Sequence, residues 1–211
     1  WFEPFIARLH PALAFYFGID QHSMSNLVSA DFTSSQLPPR RDPLTLDLDG
    51  DGLETLALDP NNPIYFDHDG NPATPQTATG WITPDDGFLA LDRNGNGTID
   101  SGRELFGDST PLNSGGTALD GFAALADLDS NGDGIVNSQD ANFANLRIWQ
   151  DLNSDAISQT NELFTLTQKN IASINITPTE NSTLLPNGNV IADLGTYTKT
   201  DGTTATLGDT A

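Results

Sequence analysis

The sequence predicts an α+β fold in which short β-strands and loops flank a helical pair of acidic loops. Leu44, Leu46 and Leu48 alternate with Thr45 and Asp47, the period-two signature of a strand, and run straight into Asp49-Gly50-Asp51-Gly52. Phe122, Leu125 and Leu128 share one helical face within Leu119–Leu128, and a second helical run is expected at Phe143–Trp149; each leads into an acidic stretch. Strand patterning then returns at Ala172–Ile176 and in a hairpin spanning Tyr197–Thr206 around Asp201-Gly202.

Taken in order, Trp1–Ile19 is aromatic-rich and expected to be helical after Pro11, and Asp20–Arg41 is a polar, extended linker that ends in two prolines and two arginines. Residues 1–41 are therefore an upstream segment and linker, and residues 42–211 a folding unit of their own. Within that unit Ile64–Phe66, Trp81–Ile82 and Phe88–Leu91 are short strands between Gly, Pro and Asn turns, which makes 42–116 β-rich. The loop-and-helix part covers 117–170, with a third short helix expected at Leu163–Asn170, and a β-rich tail covers 171–211. Glu3, Pro4, Arg8, His10 and Pro11 interrupt the first segment, so it fits neither a membrane span nor a signal peptide, and the sequence reads as an excerpt of something longer.

Twenty-nine acidic against eight basic residues give a net charge of −21, which argues against nucleic acid and anionic membrane as partners and for cations. Of the acids, 24 are Asp. A solvated acidic helix would favour Glu, whereas short, turn-forming carboxylates suit metal loops. The sequence has no cysteine, which excludes disulfides, zinc–thiolate sites and a Cys nucleophile.

Residues 129–140 fall in an EF-hand register. Asp129, Asn131, Asp133, Asn137 and Asp140 take loop positions 1, 3, 5, 9 and 12, the Ile135 carbonyl takes position 7, Gly134 permits the sharp turn, and Val136 is expected to pair with a neighbouring loop. Residues 151–162 repeat the pattern with Asp151, Asn153, Asp155, Gln159 and Glu162, plus the Ile157 carbonyl. Here Ala156 replaces the usual glycine and Ser158 the usual apolar residue; alanine is costly in a left-handed turn, so weaker calcium affinity is expected. The two loops start 22 residues apart and read as an EF-hand-like, dockerin-like helical calcium-binding pair. A variant loop carries Asp92, Asn94, Asn96 and Thr98, with Glu104 closing one position late. A fourth opens with Asp47, Asp49 and Asp51 but has Leu58 at position 12, so its closing ligand must come from elsewhere, with Asp67 and Asp69 as candidates. Recurrence within one chain argues against plain turns, and cages of many protein oxygens favour Ca²⁺ over Mg²⁺.

Asp42-Pro43 stands where linker meets folding unit. An Asp side chain can attack its own backbone carbonyl, close a five-membered anhydride and expel the comparatively basic proline nitrogen. On residues alone, Asp42-Pro43 and Asp59-Pro60 both read first as turns. The runs Asp42–Thr55, Phe66–Gly70, Ala78–Trp81, Gly102–Asp108, Asn145–Asn153 and Gly195–Thr204, however, resemble the self-processing module of FrpC-type RTX proteins, over Asp42 to about Asp209. The resemblance implies calcium-triggered cleavage of the Asp42–Pro43 bond, with Asp42 as substrate and nucleophile together and Pro43 as leaving group. The Asp42 acyl group would pass to a lysine amine as an isopeptide, or to water: a single-turnover autoprotease and protein ligase. Calcium would act as a folding switch through Asp129, Asp140 and Asp151.

Lys169 and Lys199 are the two internal lysines, which favours a lysine-bearing acceptor protein in trans. Secretion from a Gram-negative bacterium, by a type I route, is the expected localisation. His68 and Tyr65 are conceivable donors to the departing proline, with a structural role favoured for the histidine. Two further readings compete: a non-catalytic, calcium-stabilised spacer of a secreted toxin or adhesin, and, more weakly, a dockerin partnering a cohesin.

Overall fold

The computed structural model describes residues 43–210; Asp42, residues 1–41 and Ala211, with the expectations placed on them, lie outside the described residues. In chain order the strands are β1 (Leu44–Leu46), β2 (Thr55–Leu56), β3 (Ile64–Phe66), β4 (Thr77–Thr79), β5 (Trp81–Ile82), β6 (Gly87–Leu91), β7 (Ile135–Asn137), β8 (Leu146–Trp149), β9 (Leu163–Thr165), β10 (Ile171–Asn175), β11 (Thr179–Leu184), β12 (Val190–Lys199) and β13 (Thr204–Thr210). Nine of them form one antiparallel sheet in the order β7-β10-β12-β13-β1-β6-β8-β9, with β11 added along β12; β2–β5 and β3–β4 are separate two-stranded ribbons.

The α+β expectation, with its helical calcium-binding pair, is overturned. Among the described residues the one α-helix is α1 (Gly121–Ala126), and Phe143–Asn145 adds a single 3₁₀ turn. Asp120 caps α1 by accepting the Ala123 N–H at 2.7 Å. The stretch 146–149 is strand rather than helix because β6 needs a partner on that edge: Leu89 pairs with Ile148 and Phe88 with Trp149. Leu163–Thr165 pairs with β8 in turn. The rest of the expected third helix is a turn that closes on Asn170, whose φ is 57°.

β6 is buried along its whole length because it separates two apolar layers. Leu89 and Leu91 face the larger core with Leu44, Leu46, Phe122, Leu125, Leu146, Ile148, Ile174 and Tyr197. Phe88 and Ala90 face a smaller, aromatic one with Phe66, Trp81, Ile99, Leu105, Trp149 and Ala156. β1 has only three residues, but Leu44 and Leu46 are fully buried, each worth roughly 1.5–3 kcal/mol of transfer free energy. Laid between β13 and β6, β1 thus fixes the start of the sheet, and with it Pro43.

Candidate functional site

The acidic loops are closed cups even though the flanking helices are missing. In each, the first Asp gathers backbone N–H groups inside its own loop: Asp129 from Gly132 at 2.8 Å and Gly134 at 2.9 Å, Asp92 from Gly95 at 2.7 Å and Gly97 at 2.9 Å, Asp151 from Asp155 at 3.3 Å and Ala156 at 2.9 Å. The closing carboxylate then spans the N–H groups of loop positions 2 and 9. Asp140 takes Ser130 and Asn137, both at 2.8 Å; Glu162 takes Leu152 at 3.0 Å and Gln159 at 3.2 Å. Glu104, one residue late, makes the same closure through Arg93 at 3.2 Å and Asp100 at 3.0 Å.

The middle residues brace each cup. Asp133 N–H donates to Asn131 Oδ1 at 2.9 Å, Asn153 Nδ2 to Asp155 Oδ2 at 2.9 Å, Asn96 N–H to Asn94 Oδ1 at 2.9 Å, and Thr98 N–H to Asn96 Oδ1 at 2.8 Å. Asn137 Oδ1 accepts from Gln139 N–H at 2.8 Å. The Ile157 carbonyl accepts from Gln159 N–H at 2.9 Å, and Ile135 sits on β7 opposite Asn175. A set of carboxylate, amide and carbonyl oxygens of this kind is the donor chemistry of Ca²⁺.

The pairing of loops differs from the expected one. Val136 pairs with Ile174 of β10 rather than with another loop. The loops that meet are 92–104 and 151–162, through Ser158, whose Oγ accepts the Ile99 N–H at 2.6 Å and donates to the Ile99 carbonyl at 3.1 Å. A hydroxyl supplies here both hydrogen bonds that a backbone bridge would make. Ala156 has φ 57°, and its methyl is buried in the aromatic core, which accounts for a side chain where glycine is usual.

The Asp47 loop is closed by a residue that sequence patterning missed. Asp86, 1% exposed, accepts from Leu48 N–H at 3.3 Å and Glu54 N–H at 3.0 Å, and its carboxylate lies with those of Asp47 and Asp49 inside 4.8 Å. Asp47 accepts from Gly50 at 2.7 Å, and Asp49 from Asp51 at 3.2 Å. Asp67 and Asp69, the expected closing candidates, instead head a separate turn, accepting from Gly70 and Asn71, both at 2.9 Å. Burial pushes the Asp86 carboxyl up to about 7, and the hydrogen bond with Asp49 pushes Asp51 up to about 6. Asp140, by contrast, is held below the usual carboxylate range, chiefly by the Asn137 N–H.

Pro43 is half-buried, and its carbonyl accepts from Thr210 twice, from N–H at 3.2 Å and from Oγ1 at 3.3 Å. The Thr210 hydroxyl also meets Thr45 Oγ1 at 2.7 Å, and Leu44 N–H donates to the Phe106 carbonyl at 2.8 Å. Pro43 borders a cavity of about 80 Å³ walled also by His68, Trp81, Leu105, Asp108 and Ser109, enough room for water. His68 reaches it because residue 102 is glycine: a Cβ there would lie 2.1 Å from the His68 carbonyl oxygen. The imidazole stands edge-on to Phe66 at 5.5 Å, whereas Tyr65 points outward, 53% exposed. Asp209, fully buried, lies in register with Leu44.

Comparison with known proteins places this chain in a family. The family model that matches residues 44–211 is the SPM domain. The chain belongs to that family. Its SPM domain is also similar to the iron-regulated protein FrpA of Neisseria meningitidis serogroup C, 55% identical over 168 residues, which is 80% of this chain and 15% of FrpA. The chain therefore spans a small part of the curated relative it matches, and both findings agree with the resemblance to FrpC-type RTX proteins. No helix among the described residues of the SPM domain is long and apolar enough to cross a membrane.

Proposed function

We propose that this SPM domain is a calcium-triggered, single-turnover autoprotease and protein ligase acting on its own Asp42–Pro43 bond. An Asp42 side-chain carboxylate oxygen attacks the Asp42 carbonyl carbon, the C–N bond to Pro43 breaks, and the proline nitrogen takes up two protons from solvent and leaves as a protonated amine. The resulting five-membered anhydride is opened by a neutral lysine amine to give an isopeptide and one carboxylate, or by water to give two carboxylates, with the protons released to solvent. The observation that carries the reading is the clamp on Pro43: Thr210 grips its carbonyl beside a cavity of about 80 Å³, while β1 is locked into the core behind it. The leaving group is held.

Calcium supplies the trigger by neutralising the cups of a chain that carries a net charge of −21, so that binding free energy becomes folding free energy. The acceptor comes from another molecule. Lys199 has its amine 3.5 Å from the Leu48 carbonyl, beyond the far end of β1 at Leu46, which at roughly 3.3 Å per residue lies about 10 Å from Pro43. Lys169 sits 3.9 Å over the Phe164 ring and is hydrogen-bonded to Gln150. Secretion by a type I route, from a low-calcium cytoplasm into a calcium-rich exterior, times the reaction. The test is Asp42→Ala in the full chain: cleavage should vanish while terbium or calcium binding persists. A parent chain that binds calcium and stays whole would favour the spacer reading.

A further inference from the structure

We propose that Trp81 is a positioning residue that couples occupancy of the 151–162 loop to the geometry around Pro43; the inference deepens the reading above and rests on it. Trp81 lies on β5 and is 4% exposed. Its Nε1–H donates to Asp151 Oδ2 at 2.8 Å, the oxygen that also accepts the Ala156 N–H. The same indole borders the Pro43 cavity. One rigid side chain therefore touches the first ligand position of a cation loop and the wall of the space beside the bond to be cut.

Its surroundings leave little slack. The ring is packed against Phe88 at 5.0 Å, Phe66 at 5.4 Å and Trp149 at 5.6 Å between centroids, and Asp151 is fully buried. In a close-packed interior a displacement of the Asp151 carboxylate has to be absorbed by the group bonded to it. Drawing that carboxylate toward a cation carries the indole with it, and the indole is shared with the cavity that holds Pro43 and His68. The coupling is reciprocal: whatever fixes Trp81 at the cavity also strengthens cation binding at Asp151. A role confined to packing would need the rings but not the N–H.

Trp81→Phe keeps an aromatic ring and removes only the donor side. In the full chain carrying Asp42→Ala, so that it stays whole, hydrogen exchange of the Thr210 amide, which is bonded to the Pro43 carbonyl, reports the scissile end of the sheet. Calcium should raise Thr210 protection in the Trp81 chain and raise it about tenfold less after Trp81→Phe, as expected for loss of a hydrogen bond to a charged group. With Asp42 restored, cleavage at saturating calcium should fall by a similar factor. Trp149→Phe makes the same ring change in the same aromatic cluster, at an indole whose buried N–H has no hydrogen-bond partner, and serves as the packing control; it should lower the melting temperature and keep the calcium response of Thr210. If Trp81→Phe leaves that response at the parent value, or Trp149→Phe abolishes it equally, the coupling is refuted. If the parent chain never cleaves, the autoprotease reading fails, and Thr210 exchange alone still decides whether Trp81 couples the two sites.

Discussion

Ser158→Ala is the most informative single change outside the reacting residues. The hydroxyl satisfies both the N–H and the carbonyl of Ile99, and Ile99 is 1% exposed, so water cannot replace it without opening the contact between loops 92–104 and 151–162. A buried backbone group left without a partner costs about 1–3 kcal/mol; two such groups, partly relieved by local relaxation, give roughly 3 kcal/mol. For a domain of this size that corresponds to a melting temperature lower by about 6–12 °C. Thermal unfolding followed by circular dichroism in saturating calcium measures it, with Ser158→Thr, which keeps a hydroxyl, as the control. The loss of contact should also make calcium titration less cooperative. A shift under about 2 °C with unchanged cooperativity would show that the bridge contributes nothing and that the two loops act independently.

Asp86→Asn removes a carboxyl whose value is pushed up to about 7 by burial. The stability that the protonated Asp86 contributes to the folded state is fully present below the ordinary aspartate range and is lost as pH rises through about 7; because a cation at Asp86 displaces that proton, calcium affinity measured by titration should rise between pH 5 and 8 in the parent and rise less in the variant. Ala156→Gly should be nearly neutral, within about 0.5 kcal/mol by urea denaturation: relief of the left-handed backbone, about 1–2 kcal/mol, is offset by loss of a buried methyl, about 0.8 kcal/mol, and by the greater freedom of glycine in the unfolded chain, about 0.4–1 kcal/mol. Replacing both Lys169 and Lys199 by Arg should leave cleavage intact and still allow cross-linking to an added lysine-rich protein; abolished cross-linking would place the acceptor within the chain.

The parts of the fold that were legible are those where residue type and period coincide. Leu44 and Leu46 alternate with polar residues and are buried, and the 197–206 hairpin follows from Asp201-Gly202, where Gly202 has φ 87°. Phe143–Trp149 misled because four residues of strand are too few to establish a period, and what makes them strand is the exposed edge of β6, a distant demand. β11, Thr179–Leu184, is largely exposed and has no apolar alternation to read; its place comes from backbone pairing along β12. The cups were legible in their Asp, Asn and Gly spacing, down to Glu104 one position late. Asp86 was not, since it closes the Asp47 loop from 38 residues beyond Leu48. Nor were Asp108, Ser109 and Thr210 legible as neighbours of Pro43, because sheet register and not sequence spacing brings them there.

The most direct test of the central claim is intact-mass analysis of the full chain, purified in chelator and then given millimolar calcium or, in parallel, millimolar magnesium. The account predicts, with calcium, two fragments whose C-terminal member begins at Pro43, together with heavier species joined through Asp42 and a lysine, and no change with magnesium. A chain that folds with calcium yet keeps a single intact mass for days would contradict it.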